Sequence, residues 1–196
     1  MMHDTNEFYL DVNRVENISD EKFSFADTLI KSLNSFNRLS NKSIYVIDLS
    51  NENFLYVSEN PLFLCGRHPD EIKKMGYRYY LEMVPEDERN MLLEFNRKGI
   101  HFFYRLDIEK RLKCSVSFDF HICYGENKIL VNQKMTPLLL ADNGKLWLVS
   151  CLVSLSHRQQ IGTLEMHFEG SSEYWSYTHA KGKWSHFPAI EPKMKS

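Results

Sequence analysis

The sequence predicts an α+β fold: a five-stranded antiparallel sheet with short helices on one face, an N-terminal flanking helix and a C-terminal β-hairpin. Three observations predict it. Strand-like alternation opens the body in "SIYVIDLSNENFLYVSEN", then vanishes for some forty residues. It returns in "KCSVSFDFHICYG" and in the two halves of "NKILVNQKMTPLLLADNGKLWLVSCLVSLS". Between these groups the text breaks into short helical pieces punctuated by Pro and Gly.

The elements follow in chain order. Residues 1–42 form the flanking segment. In "SDEKFSFADTLIKSLNSFNRLSN", Phe23, Ala26, Leu29, Ile30, Leu33 and Phe36 recur at three- and four-residue steps and share one helical face. Ser24 with Asp27 is the expected cap. The stripe either packs on the body of the same chain or forms the seam of a dimer. Residues 43–158 form the body. Ile44, Val46 and Leu49 lead into a turn at "SNEN", and Phe54, Tyr56 and Ser58 follow it. Pro61 suits a first helical turn, Gly66 a helix end and Pro69 the next helix start. "PEDERNMLLEFNRKG" carries acids first and bases last, the charge order a helix dipole favours, and is expected to end at Gly99. From His101 onward the text turns to strands, with Asp142-Asn143-Gly144 as a hairpin turn. Residues 159–196 form the appendix. "GTLEMHFEG" alternates Leu164, Met166 and Phe168, and "EYWSYTHAKGKWSHF" places Trp175, Tyr177 and Trp184 around a turn, which predicts one short hairpin with an aromatic face.

Composition excludes several classes. The chain has 196 residues, 43% hydrophobic and 26% charged, the profile of a globular domain. Its 24 basic and 26 acidic residues leave a net charge of −2, without the basic excess that nucleic acid demands. No apolar run approaches the ~18 residues of a membrane span. The polar, acidic N-terminus does not resemble a signal peptide. Cys65, Cys114, Cys123 and Cys151 form no CxxC pair, so a reduced, cytoplasmic protein is expected.

Two constellations invite chemistry. In "ENPLFLCGRHPDEIKKMG", Cys65 precedes His68 by three residues, the types of a nucleophile and its base or of two metal ligands. Gly66 and Pro69 put them at a helix end and the next helix start, where their side chains diverge, so neither catalysis nor a metal site is expected. His121 and Cys123 lack the paired partners a zinc site needs. The expected protein is therefore no enzyme, with no metal and no cofactor.

The order of motifs carries a resemblance over about Ser43 to Ser156. "SIYVIDLSNENFLYVSEN", then "NPLFLCGRHPDEI", then "MVPEDER" resemble a PAS domain of the PAS_3-like kind. In that family an Asn after the second strand leads into an aromatic-aliphatic turn, a Gly and a helix opened by "pEEl"; an "hPdDr" element later starts the connecting helix. The leading helix and the trailing Trp/Tyr hairpin extend the likeness to the sensory half of bacterial LuxR-type transcription regulators. The resemblance implies a sensor that reaches DNA only through an output domain, which would begin near "IEPKMKS". Flavin-binding relatives resemble "GxNCRFLQ", whereas the nearest text here, "MGYRYYLEM", has neither Cys nor Asn. Haem-binding relatives use an axial His on the connecting helix, and Pro85 to Gly99 contains none.

What remains is an apolar cavity for a small molecule or a core filled by its own side chains. The inward face offers Tyr45 or Val46, Phe54 or Tyr56, and Phe63, Tyr80, Leu92, Phe95, Phe118 and Phe120; alternation leaves some faces open. The candidate pocket is taken as Tyr45, Tyr56, Phe63, Tyr80, Phe95, Phe118 and Phe120, with Arg105 and Gln133 as polar contributors. The candidate dimer interface is Phe23, Ala26, Leu29, Ile30, Leu33 and Phe36. A homodimer that binds a small-molecule ligand, away from membranes, is the expected state; a ligand-free interaction module is the alternative.

Overall fold

A buried carboxylate sets the first turn. Asp48 closes β1 (Ser43–Asp48) and accepts from the Ser50 backbone N–H at 2.9 Å, the Ser50 hydroxyl at 2.6 Å and the Asn51 side-chain amide at 2.8 Å. The Trp147 indole N–H donates to the same carboxylate at 3.1 Å. These donors stabilise a charge that burial alone would disfavour, and they fold β2 (Asn53–Val57) back antiparallel onto β1. This computed structural model describes residues 8, 10–15 and 18–190.

Short helices follow: α2 (Pro61–Leu64), α3 (Pro69–Met75) and α4 (Arg78–Met83). Pro61 and Pro69 take first-turn positions, as the sequence suggests. Asn60 caps α2 by accepting from the Leu62 N–H at 3.1 Å. Cys65 and Gly66 both adopt left-handed backbone, φ 48° and 83°, which ends α2 abruptly.

α5 (Glu86–Arg105) is longer than expected, and α6 (Ile108–Arg111) follows where strand was anticipated. Gly99 does not stop α5, because Ile100 and Phe103 prolong the apolar face begun by Leu92 and Phe95. Packing of that face outweighs the ~1 kcal/mol that a mid-helix Gly costs.

The remaining strands are β3 (Cys114–Tyr124), β4 (Asn127–Leu140), β5 (Leu146–Leu155), β6 (Thr163–Phe168), β7 (Tyr174–Thr178) and β8 (Lys183–Phe187). Gly144, at φ 73°, serves the β4–β5 turn. All pairings are antiparallel, in the order β2-β1-β5-β4-β3-β6-β7-β8. Among the described residues the sheet thus has eight strands, not five with a separate hairpin. The alternating Leu164 and Met166 pair with Phe118 and Val116 of β3, so β6 satisfies an edge that would otherwise be unpaired and carries β7 and β8 with it.

The two sheet faces are covered differently. Tyr45, Ile47, Phe118, Phe120, Val149 and Cys151 pack in the main core with α2 to α5. Val46, Trp147 and Leu148 belong to a smaller cluster beneath α1 (Asp20–Leu39). α1 starts one turn before the expected cap: Ser19, not Ser24, accepts from the Lys22 N–H at 3.4 Å, ahead of Asp20 and Glu21. Ala26 and Leu33 pack on the sheet, and Phe23 stands edge-on to Trp147 at 5.2 Å. Leu29 and Ile30 are half-buried, while Phe36 and Leu39 are 64% and 86% exposed.

Candidate functional site

α5 lies across the sheet because its first turn is tied to β3. Glu88, buried, accepts the His121 backbone N–H at 2.8 Å and pairs with His121 Nδ1 at 2.6 Å. One carboxylate therefore covers both a strand-edge donor and an imidazole. Farther along, the Tyr177 hydroxyl of β7 donates to Glu94, and Phe102 meets Trp175 and Trp184 at 5.6 and 4.8 Å.

Between α5 and the sheet is a cavity of about 110 Å³. α5 contributes Leu92, Phe95, Gly99 and Phe103, and α4 contributes Tyr80. The sheet supplies Ile47, Phe118, Gln133, Val149 and Leu164. Among the described residues no Asp, Glu, Lys or Arg lines it. Phe8, ahead of α1, closes part of the wall and stacks on Tyr77 at 5.1 Å and on Tyr80 at 6.1 Å. The Phe8 carbonyl accepts from the Asn96 side-chain amide at 2.7 Å. Asn13, also buried, donates to the Leu146 carbonyl at 3.1 Å and accepts from the Tyr104 hydroxyl. A second hollow of about 460 Å³ lies along the same segment; Phe8, Asn96 and Ile100 line both.

The polar end of the cavity is a chain of neutral groups. The Tyr45 and Tyr80 hydroxyls are hydrogen-bonded to each other, and Tyr80 donates to Gln133 Oε1 at 3.4 Å. Burial pushes both phenols and the Cys151 thiol up, so each holds its proton.

Of the expected pocket residues, Tyr80, Phe95, Phe118 and Gln133 meet around the cavity. Tyr45, Phe63 and Phe120 form the packed layer beside it: Tyr45 stacks on Phe63 at 4.3 Å, and Phe120 lies 5.8 Å from Phe118. Tyr56 packs with the smaller cluster on the opposite sheet face, because the bulge between Val46 and Ile47 shifts the β1–β2 register. Arg105 is exposed at the end of α5. Phe8, Phe103 and Leu146 escaped the sequence. Phe103 was legible only if the Leu92–Phe95 spacing is carried past Gly99; Phe8 sits in no periodic run, so no local signal marks it.

Cys65 and His68 have separate structural roles. His68 caps α3, its Nδ1 accepting from the Asp70 N–H at 3.3 Å. Burial pushes the Cys65 thiol up, the reverse of what a nucleophile needs. His121 is engaged by Glu88. Among the described residues no group of three or more His, Cys, Asp or Glu is placed to hold a metal ion, and no helix is long and apolar enough to cross a membrane.

No family model matches this chain, and no curated protein does. Among solved structures, the crystal structure of the phage VqmA-DPO complex is similar over 66% of this chain and 54% of that one, at 13% identity and a TM-score of 0.41. This chain thus spans about half of that protein. A domain assigned to a light and redox sensing histidine kinase from Haloarcula marismortui is similar over 64% of this chain and 97% of that one, at 11% identity and a TM-score of 0.42. At such values the likenesses do not identify the chain, and its function has to be argued from the cavity itself.

Proposed function

We propose that the chain is the sensory module of a LuxR-type transcription regulator, built on a PAS-like core. A small molecule in the cavity under α5 biases the packing of the segment before α1. α1 passes that bias to a DNA-binding output domain. The observation that carries the reading is Phe8: one residue belongs both to the cavity wall and to the segment that runs into α1. Occupancy and flank position therefore compete for, or share, the same contacts, which is what coupling between two sites requires. The module itself performs no catalytic step and works as a cytoplasmic homodimer.

A thermal-shift screen with a broad library of neutral metabolites tests it. A ligand that binds the folded state raises the melting temperature with concentration. A library that moves it nowhere removes ligand sensing.

A second reading, a ligand-free dimerisation module, rests on the apolar flank of α1. Phe25, Phe36 and Leu39 are exposed there, away from Ala26 and Leu33. Sedimentation of the Phe25→Asp, Phe36→Asp variant decides it. An association state equal to wild type removes α1 as the seam.

A further inference from the structure

β8 is the open end of the sheet. It is last in the strand order, whereas α3 packs along β2 at the opposite end. An edge strand presents backbone groups that a further strand can answer. The phase of the ladder decides which groups these are, because antiparallel partners exchange both hydrogen bonds only at every second pair. The His179 N–H donates to the Gly162 carbonyl at 2.9 Å, in step with the β6–β7 register. Trp175 and Tyr177 therefore give their backbone groups to β6, while Tyr174, Ser176 and Thr178 give theirs to β8. The Thr178 carbonyl agrees, accepting from the Gly182 N–H at 2.9 Å. On β8, Lys183, Ser185 and Phe187 are thus engaged by β7. Trp184 and His186 each turn an N–H and a C=O to the open side. Past β8, the Ile190 N–H donates to the Ser172 hydroxyl at 2.9 Å, ahead of β7, so the described chain stays off that side.

Those four groups complement themselves. When two β8 strands run antiparallel about a two-fold axis at Ser185, Trp184 of each meets His186 of the other as a hydrogen-bonded pair, and all four groups are answered. Neighbouring registers fail. An axis at His186 sets Trp184 against Pro188, which has no N–H. An axis at Trp184 sets His186 against Gly182, whose N–H is already given to the Thr178 carbonyl. The side chains agree in charge and shape. Lys183 faces Phe187 of the other copy rather than a second Lys183, so a cation meets a ring that is 41% exposed. Ser185, exposed and small, meets itself. Within one chain the Trp and His types already stack across a strand pair, Trp175 on His186 at 4.4 Å.

We propose that the β8 edge is an interaction surface for a second copy of this chain, joining two sheets into one through Trp184 and His186 backbone pairs. This rests on the homodimer proposed above, gives it a seam distinct from α1, and is independent of any ligand. A strand of 5 residues is a small interface, so a reversible dimer with a dissociation constant on the order of micromolar is expected.

Ser185→Cys in the full chain tests the register. At a non-hydrogen-bonded antiparallel pair the two Cα atoms lie about 4.5 Å apart, within reach of a disulfide. Lys183 lies on the same face but roughly 13 Å from its own copy, so Lys183→Cys is the control. With oxidised glutathione, Ser185→Cys is expected to run as a covalent dimer on a non-reducing gel, and Lys183→Cys to stay at the background set by the native cysteines. Charge gives a second reading should the Cys variant fail to fold. Ser185→Asp and Ser185→Lys should each weaken sedimentation-measured association by about fivefold, and their equimolar mixture should recover it. Equal cross-linking of the two Cys variants, or a mixture no tighter than its components, overturns the β8 seam; a wild type that is still dimeric then keeps the homodimer and moves its seam elsewhere. A wild type that stays monomeric far above micromolar concentration overturns the seam and the homodimer together.

Discussion

Phe63 stacks on Tyr45 with ring centroids 4.3 Å apart, and its carbonyl accepts from the Tyr79 hydroxyl. It is 1% exposed, so nothing else fills its place when it is truncated. Phe63→Ala is expected to destabilise the fold by about 3–5 kcal/mol, read as a lower urea midpoint; a loss below about 1 kcal/mol would mean the layer collapses around the gap. His68 calls for a smaller number. Its imidazole caps α3, so His68→Ala should cost about 0.5–2 kcal/mol and His68→Ser should recover most of it. If the two variants melt alike, the cap contributes nothing. The same stretch shows what is legible in a sequence. Asn60, Pro61 and Pro69 announce helix starts through local rules, and they sit where those rules put them. The imidazole cap is not legible, since a His before Pro satisfies no common capping pattern.

At the scale of elements, the N-terminal segment and α5 together decide whether the cavity is open. Phe8 is held by ring stacking on Tyr77 and by the Asn96 amide, and Asn13 ties the segment to Leu146 and Tyr104. Phe8→Ala removes the aromatic part of the wall shared by the two hollows. Benzene, an uncharged apolar probe of the cavity, should then exchange faster in the spectra of the Met135 and Met166 methyls that line it, while Asn13 keeps the segment anchored. Exchange as slow as in wild type would mean that guests enter elsewhere. α5 was half legible. Its acidic start and its Leu92–Phe95 face follow from charge order and periodicity. Its last six residues do not, because Gly99 reads locally as a stop and only the sheet beneath rewards continuation. The α1 stripe was legible as a helix face but not as to its partner: Ala26 and Leu33 turn to the sheet, while Phe25 and Phe36 stay outside. Spacing alone cannot divide one apolar stripe between two neighbours.

Across the whole molecule, one sheet joins what the sequence text divides. Asp119 on β3 accepts from Asn132 at 3.1 Å and from Ser156 at 2.7 Å, and Arg158 bridges to Glu165 of β6 at 2.7 Å, so the link after β5 is fastened to the face it crosses. The joining of the C-terminal strands to the main sheet was invisible locally because β6 finds its partner some fifty residues upstream in β3, and single-strand periodicity carries no pairing information. The sheet's helix-facing side also gathers groups that must stay protonated. Burial raises the Tyr45 and Tyr80 phenols above their ordinary 10.0, and raises the Cys114 thiol from 9.0 to about 11 and the Cys151 thiol further. The sign follows from proton counts. Below the ordinary values both folded and unfolded chains hold these protons, and the stability is fully present. As pH rises through them, the unfolded chain releases protons that the folded chain retains, so stability falls. Cys114 alone accounts for about 3 kcal/mol, lost between its ordinary value and its raised one. Urea midpoints in reducing buffer should therefore be flat up to about pH 8.5 and drop steeply by about pH 10.5. Cys114→Ala should show a shallower drop than wild type, because one of the four buried acids is gone. A midpoint that holds level across that range would mean these groups reach water in the folded state, and the packed, neutral lining of the cavity would have to be abandoned.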